Sequence, residues 1–146
     1  LNRMTRTGLN YGFPYCHAVS VPDKDFRKQN PCDGVTLPVA QMGPHAAALG
    51  LMFYTGTMFP PEYRNAMLVA RKGSWNRTQK FGFDVVRVSV DANGGNPKTE
   101  PFITGFLDEA SQQFSGRPAY LLQMPDGSVL VSDEQMGAIY RVSYAR

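Results

Sequence analysis

From residue 49 onward, short apolar runs alternate with clusters of residues that favour turns. The first group of runs covers residues 49–54, 66–70, 83–90 and 100–106. Within 83–90 the side chains alternate over most of the length, which is the period of a β-strand with two different faces. Runs of this length between turn signals indicate strands rather than helices. We therefore predict an all-β chain with little helix.

A second group of runs follows the same order as the first. It covers residues 118–123, 128–132 and 138–144, and its first turn is Pro125-Asp126-Gly127. In such a turn proline fixes φ, aspartate binds its own backbone and glycine takes a positive φ. Four-stranded groups that repeat every ~40–50 residues are typical of β-propeller blades. We predict a propeller, and a β-sandwich is the rival all-β fold for such a pattern.

Residues 1–48 differ from the rest, because they form a loop-rich segment without sustained periodicity. We predict that this segment completes an earlier blade and that residues 49–146 form propeller blades. Its two cysteines, Cys16 and Cys32, are an even number and would close a short loop. Such a bridge stabilises a fold by about 3 kcal/mol in the chain-entropy model. A disulfide here favours an oxidising location, periplasmic or secreted.

Charge and hydropathy exclude two classes of partner. The formal net charge is +3, and the lysines and arginines are scattered rather than clustered. Nucleic-acid binding proteins concentrate their basic residues on one face, so we expect no nucleic acid partner. An apolar stretch of the ~20 residues that a membrane-spanning helix needs is absent from the sequence. We therefore expect no membrane span.

Five motifs in a fixed order carry a resemblance to a known family. They occupy residues 10–14, 50–56, 73–77, 116–118 and 125–133. In this order they resemble the C-terminal half of the glucose/sorbosone dehydrogenases, closest to the sorbosone dehydrogenase branch. The resemblance covers nearly the whole chain. It implies that the chain is about three four-stranded blades of a six-bladed propeller, and that the complete propeller is longer.

The resemblance also implies a chemistry. Members of this family hold pyrroloquinoline quinone (PQQ) and Ca²⁺ at the top of the central channel and oxidise a sugar or aldehyde by hydride transfer to the quinone. The expected partners are the sugar or aldehyde, an electron acceptor such as a cytochrome c or a quinone, and the remaining N-terminal part of the propeller or another subunit. The family's general-base histidine belongs to that missing part, so no catalytic residue is expected in this chain.

Five positions correspond to residues with a role in the family. Arg117 matches an arginine that meets PQQ, and guanidinium groups bind carboxylates in a bidentate manner. Lys72 matches a lysine that neutralises a PQQ carboxylate, while Tyr54 and Thr55 lie near positions that contact the quinone. Tyr11 matches a tyrosine whose main-chain oxygen helps to hold Ca²⁺ in some members. We expect Arg117, Lys72 and Thr55 to converge on one end of a channel.

Two features depart from the family pattern, and three residues have alternative interpretations. Soluble glucose dehydrogenases have a second arginine where this chain has Ala119, and the basic pair Arg71-Lys72 replaces an acid-histidine pair of the sorbosone type. His17 and His45 could each act as a general base on chemistry alone. His45 is interpreted instead as a loop residue near the channel mouth. His17 could ligate a metal, although no second ligand at zinc spacing supports this. Trp75 is interpreted as a packing residue between blades, with a substrate platform as the alternative.

The sequence therefore leaves three functions open. The first is a PQQ-linked sugar or aldehyde dehydrogenase. The second is a propeller that binds a partner without catalysis, which the two departures from the family pattern favour, since fold does not fix function. The third is a structural subunit of an extracytoplasmic assembly that uses residues 1–48 as its docking surface.

Overall fold

The computed structural model describes residues 1–26 and 29–145. The chain divides into two compact units, Leu1–Gln41 and Met42–Arg146. Apart from one short 3₁₀ turn at Pro61–Tyr63, the regular structure in the described residues is β-strand. The prediction of an all-β chain is therefore confirmed.

Nine strands lie in the described residues. They are β1 (Cys16–His17), β2 (Val21–Pro22), β3 (Ala48–Phe53), β4 (Met67–Arg71), β5 (Asp84–Ser89), β6 (Lys98–Ile103), β7 (Pro118–Gln123), β8 (Val129–Asp133) and β9 (Ala138–Val142). In the second unit each predicted run corresponds to one strand, and the ends differ by a few residues.

The strands of the second unit form two antiparallel sheets in sequence order. One sheet has the order β3-β4-β5-β6 and the other has the order β7-β8-β9. The first strand pair of each sheet contains a register shift, between Ala48 and Leu51 in one and between Pro118 and Leu121 in the other. This repeated irregularity shows that the two sheets are built on the same plan.

The two sheets pack against each other through apolar side chains, many of them aliphatic. Leu68, Ala70 and Val85 of the first sheet share a buried cluster with Val129 and Val131 of the second. Aliphatic side chains of this kind fill the space between two pleated surfaces without polar atoms that need partners. Burial therefore fixes which face of each sheet points inward.

The first strands of the two sheets approach each other closely. A side-chain carbon on Gly50 in β3 would lie 2.6 Å from the carbonyl oxygen of Ala119 in β7. Each of these strands is also the edge strand of its own sheet. Innermost strands side by side and sheets packed face to face are the arrangement of adjacent propeller blades.

The fold class is thus part of a β-propeller, with differences in detail from the prediction of about three four-stranded blades. One sheet has four strands, the second has three, and a two-stranded ribbon of β1 and β2 lies in the first unit. Turn signals alone do not show whether a fourth strand pairs at the edge of a sheet, because edge pairing depends on distant parts of a chain.

Candidate functional site at the junction of two sheets

Each sheet of the second unit has two ends. We call one of them the junction end: there β3 and β7 begin, and β4 and β8 finish. At the opposite end, the far end, β3 and β7 finish, and β4 and β8 begin. The register defines this arrangement, since Ala48 pairs with Arg71 and Pro118 pairs with Asp133. Residues that precede β3 or β7 and residues that follow β4 or β8 therefore meet at the junction end.

An ion pair joins the two sheets at the junction end. Lys72 follows β4 and Glu134 follows β8, and the lysine Nζ lies 2.5 Å from the glutamate Oε1. The side chains are 25% and 46% exposed, so both are accessible to solvent. Because the two residues occupy equivalent places in the two sheets, the pair is a consequence of the structural repeat.

Arg117, immediately before β7, lies beside this ion pair. Its guanidinium carbon is 5.3 Å from the ring centre of Phe83 and 5.1 Å from that of Phe114. One terminal nitrogen donates to the carbonyl oxygen of Ser74 at 3.1 Å. Its buried Nε atom has no hydrogen-bond partner among the described residues. The arginine thus ties the second sheet to the loop after β4.

Asp133 fixes the backbone around Arg117. Its Oδ1 atom accepts hydrogen bonds from the backbone N–H groups of Arg117, Gln135 and Met136, and its Oδ2 atom accepts one from the Tyr140 hydroxyl. Burial by itself raises the pKa of this carboxyl, but the hydrogen bonds outweigh it and leave the pKa below its ordinary value. Asp133 is therefore an ionised anchor for the turn that carries Glu134.

The loop after β4 is held just as firmly. The backbone N–H groups of Lys72 and Gly73 donate to the carbonyl oxygens of Ala47 and Ala46. Buried Ser74 exchanges backbone and side-chain hydrogen bonds with Phe81, which closes the loop. Gly73 has φ near 98°, and a side chain there would overlap a neighbouring aromatic ring, so glycine is required.

Two further residues named by the sequence analysis lie at this end. Trp75, on the loop that Ser74 anchors, is 81% exposed, so it packs little against the described chain. His45 is exposed and precedes β3, with a positive φ of 55°. A positive φ is uncommon in non-glycine residues, and histidine is among those that adopt it more readily. The function of both residues stays a prediction.

The other predicted contacts lie elsewhere, and the expected convergence of Thr55 with Arg117 and Lys72 is wrong. Thr55 follows β3 and lies at the far end, where its backbone N–H donates to the Gln123 side chain at 2.8 Å. The length of a strand, about 3.3 Å per residue over five to six residues, separates it from the junction end. Antiparallel pairing places the end of one strand beside the start of the next, so residues that follow β3 and residues that follow β4 lie at opposite ends of the sheet.

Tyr54 also belongs to the far end, where it is fully buried. Its hydroxyl donates to the Gly127 carbonyl at 2.8 Å and accepts hydrogen bonds from the backbone N–H groups of Met58 and Phe59. These contacts use its donor and both acceptor sites. A contact between Tyr54 and a cofactor stays a prediction, and in this structure the residue anchors the β3–β4 connection.

An open cleft of about 460 Å³ lies near this anchor. Its lining consists of the β3–β4 connection and the chain after β9, with Met58, Phe59, Pro60, Arg64 and Tyr144 as its main contributors. The lining combines aromatic and proline side chains with one arginine. Because the cleft is at the far end, it is separate from the Lys72–Glu134 pair.

The first unit contains the predicted disulfide. Cys16 and Cys32 are bonded, with their Cα atoms 5.2 Å apart. Beside the bridge, the Nε2 atom of His17 lies 2.6 Å from Asp23 Oδ2. Hydrogen bonds from the Phe26 backbone, from His17 and from the Asp25 backbone lower the pKa of Asp23 to about 2.

A metal centre is not evident in the part of the chain that the structure describes. No group of three or more histidine, cysteine, aspartate or glutamate side chains is placed to hold an ion there. The Tyr11 hydroxyl donates to the carbonyl oxygen of Arg3 at 3.2 Å. The calcium role of the Tyr11 main-chain oxygen stays a prediction. Within the described residues, no helix is long and apolar enough to cross a membrane.

Glu134, Asp133 and the aromatic pair around Arg117 are not among the residues predicted from the sequence. A usable signal was present: aligning the two groups of strands puts Lys72 and Glu134 at the same position after the second strand, with opposite charges. Equivalent positions of neighbouring blades face each other, so opposite charges there predict an ion pair. The stacking of Arg117 depends on the conformation of irregular loops and had no such signal.

Adjacent β-sheets with close first strands, and a charged junction between their equivalent loops, define a class of protein: a β-propeller of which this chain forms part. The chain belongs to the TrAA12-like family, whose model matches residues 1–145. It is 32% identical to an uncharacterised protein of Borreliella burgdorferi, over all of this chain and 39% of that protein.

Two solved structures are similar in fold. One is the holo PQQ domain of pyranose dehydrogenase from Coprinopsis cinerea, with 22% identity, a TM-score of 0.68 and coverage of 93% of this chain and 40% of that one. The other is a calcium structure of a Trichoderma reesei carbohydrate-active enzyme of family AA12, with 20% identity, a TM-score of 0.73 and coverage of 92% and 38%. The chain thus spans about two fifths of the relatives that it matches.

Proposed function

We propose that this chain is the C-terminal part of a PQQ-dependent dehydrogenase that oxidises a sugar or a related aldehyde. The observation that carries the proposal is the meeting of Lys72 and Arg117 at one end of two neighbouring blades. Family membership and the fold shared with a PQQ domain support it. When bound, PQQ supplies a quinone that accepts a hydride from the substrate.

The residues of the junction end fit a polycarboxylate. The ammonium group of Lys72 is partly exposed and can meet a carboxylate by exchanging its present partner. Arg117 adds positive charge, and its contacts with two aromatic rings fix its position. Cations with a fixed orientation bind carboxylates more strongly than mobile ones. This chain therefore contributes cofactor binding, and the general base comes from outside it.

We propose calcium binding for the intact protein and not for this chain by itself. The described residues hold no cluster of acidic ligands, and hard cations require several oxygen ligands. The disulfide favours a periplasmic or secreted location. A sugar or aldehyde, an electron acceptor such as a cytochrome c or a quinone, and the rest of the propeller complete the proposed set of partners.

Titration of the intact protein with PQQ, with and without Ca²⁺, tests this function. We expect a saturable change in the absorbance of PQQ, and Lys72→Gln should weaken binding about tenfold because a charge-assisted hydrogen bond is lost. Lys98→Gln, on the exposed surface of β6, is the matched control and should leave the affinity unchanged. Absence of binding at saturating PQQ in both conditions would rule the proposal out.

A binding propeller without dehydrogenase activity is the second candidate. It is favoured by Arg117, whose terminal nitrogen already donates to the Ser74 carbonyl, and by Ala119, which is buried and stands where relatives have a second arginine. This candidate predicts that the intact protein folds normally and binds no PQQ. The same titration therefore separates the two functions.

A further inference from the structure

We infer that Glu134 is a displaceable counter-ion that controls the access of a carboxylate-bearing ligand to Lys72. The inference rests on the proposed function and assigns a regulatory position within its site. In the free chain the Glu134 carboxylate is paired with the Lys72 ammonium group, which the ligand would need for its own carboxylate. Binding of the ligand therefore requires an exchange of one carboxylate for another.

The backbone of Glu134 is held by a hydrogen bond, whereas its side chain is partly exposed to solvent. Its N–H group donates to the Arg117 carbonyl at 3.1 Å, and the preceding residue, Asp133, is buried. The Glu134 side chain is 46% exposed and the structure gives it one ionic contact, with Lys72. Rotation about its side-chain bonds can thus move the carboxylate into water while the sheet stays unchanged.

The neighbouring charged side chains already have partners, so they do not take the place of Glu134 as the counter-ion of Lys72. Arg71 forms an ion pair with Asp84 at 2.5 Å and donates to the Met42 carbonyl. The Asp133 carboxylate accepts hydrogen bonds from backbone N–H groups and a tyrosine hydroxyl. Among the described residues, Glu134 is the carboxylate within ion-pair distance of Lys72.

The Lys72–Glu134 ion pair is weak enough for a ligand carboxylate to replace Glu134. A partly exposed ion pair contributes little, because water and salt screen both charges. A ligand with several carboxylates can therefore displace Glu134, although it does so at a measurable loss of affinity. Removal of the glutamate charge should abolish that loss and make the ammonium group permanently available.

A double-mutant cycle with PQQ as the probe tests the inference. We expect Glu134→Gln in the intact protein to lower the PQQ dissociation constant about two- to fivefold at low salt, with a smaller gain at high salt. This gain in PQQ affinity should disappear on a Lys72→Gln background, because Glu134 then has no ammonium group with which to form an ion pair. The dissociation constant, followed by PQQ absorbance, reports this effect without any measurement of turnover.

A second readout uses no ligand. With ¹³C-methylated lysines, the NMR signal of Lys72 should move between the wild type and Glu134→Gln at constant pH, because the substitution removes the carboxylate that lies against the Lys72 ammonium group. Glu62→Gln makes the same change in net charge on the 3₁₀ turn at the far end and serves as the control. It should change neither the dissociation constant nor the Lys72 signal.

The possible outcomes separate the inference from the function on which it rests. If the wild type binds PQQ and Glu134→Gln binds it equally or more weakly, the counter-ion role is overturned. The same holds if the gain persists without Lys72 or also occurs in Glu62→Gln. If neither the wild type nor Glu134→Gln binds PQQ, the proposed function fails and the inference fails with it. Thermal unfolding of each variant identifies any loss of folding.

Discussion

Asp133 organises the junction end through one carboxylate that serves several backbone donors. Replacement by alanine would remove a buried carboxylate and leave the N–H groups of Arg117, Gln135 and Met136 without the acceptor that it provides. We expect Asp133→Ala to lower the free energy of unfolding by about 2–3 kcal/mol. Asparagine keeps the Oδ1 acceptor, so Asp133→Asn should lose less than half as much. Chemical denaturation measures both, and equal losses would contradict the anchoring role.

The Asp133 carboxylate also makes the free energy of unfolding decrease as the pH becomes acidic. Its pKa in the folded chain is below the ordinary value of 3.8, so the folded state favours the ionised form. This contribution is complete above pH 3.8 and is lost as the pH falls through the lower folded value. Asp133→Asn should remove this component of the acid sensitivity, which denaturation curves at a series of pH values would show.

At the scale of residues, the sequence could locate charges but not their partners. Lys72 and Arg117 are recognisable as cations that match family positions, and the structure brings them to the same end of the two sheets. Thr55 was assigned to the same place because the family resemblance supplied no strand directions. The role of Phe83 and Phe114 around Arg117 was not predictable, since it depends on loop conformations without a periodic signal.

At the scale of elements, the contact of β3 with β7 depends on a glycine. Gly50 is buried, and a side chain there would overlap the backbone of Ala119 and Tyr120. We expect Gly50→Val to lower the free energy of unfolding by about 2–3 kcal/mol, because the two strands must separate to accept it. Leu51→Val, on the exposed face of the same strand, is the control and should cost under about 1 kcal/mol. Equal effects would show that the strands are not closely packed in solution.

The strands themselves were the most predictable part of the molecule. Alternation and turn residues gave every strand of the second unit, because both signals are local. The register shifts after Ala48 and Pro118 were not predictable, since a bulge depends on the pairing between strands. The short ribbon of β1 and β2 was missed because strands of two residues have no period to detect.

At the scale of the whole molecule, the two faces of the second sheet differ. Val129 and Val131 of β8 are buried against the first sheet, whereas Tyr120, Leu122 and Ile139 on the opposite face are 67%, 60% and 70% exposed. Adjacent exposed apolar side chains on one face mark a surface that is normally covered. In a propeller both faces of a blade contact neighbouring blades. The exposed face is therefore expected to contact another blade of the intact protein.

A charge placed on this face tests the expectation. In the intact protein we expect Leu122→Asp to lower the free energy of unfolding by about 2–3 kcal/mol, because it replaces a buried leucine by a carboxylate without a partner. Met136→Asp is the matched control: its side chain is similarly exposed, at 62%, but it lies in the turn between β8 and β9. A solvated turn accepts a carboxylate at little cost, so this variant should unfold like the wild type. If thermal and chemical unfolding show the two variants to be equally stable, the outer face of the second sheet is open to water and no further blade packs against it.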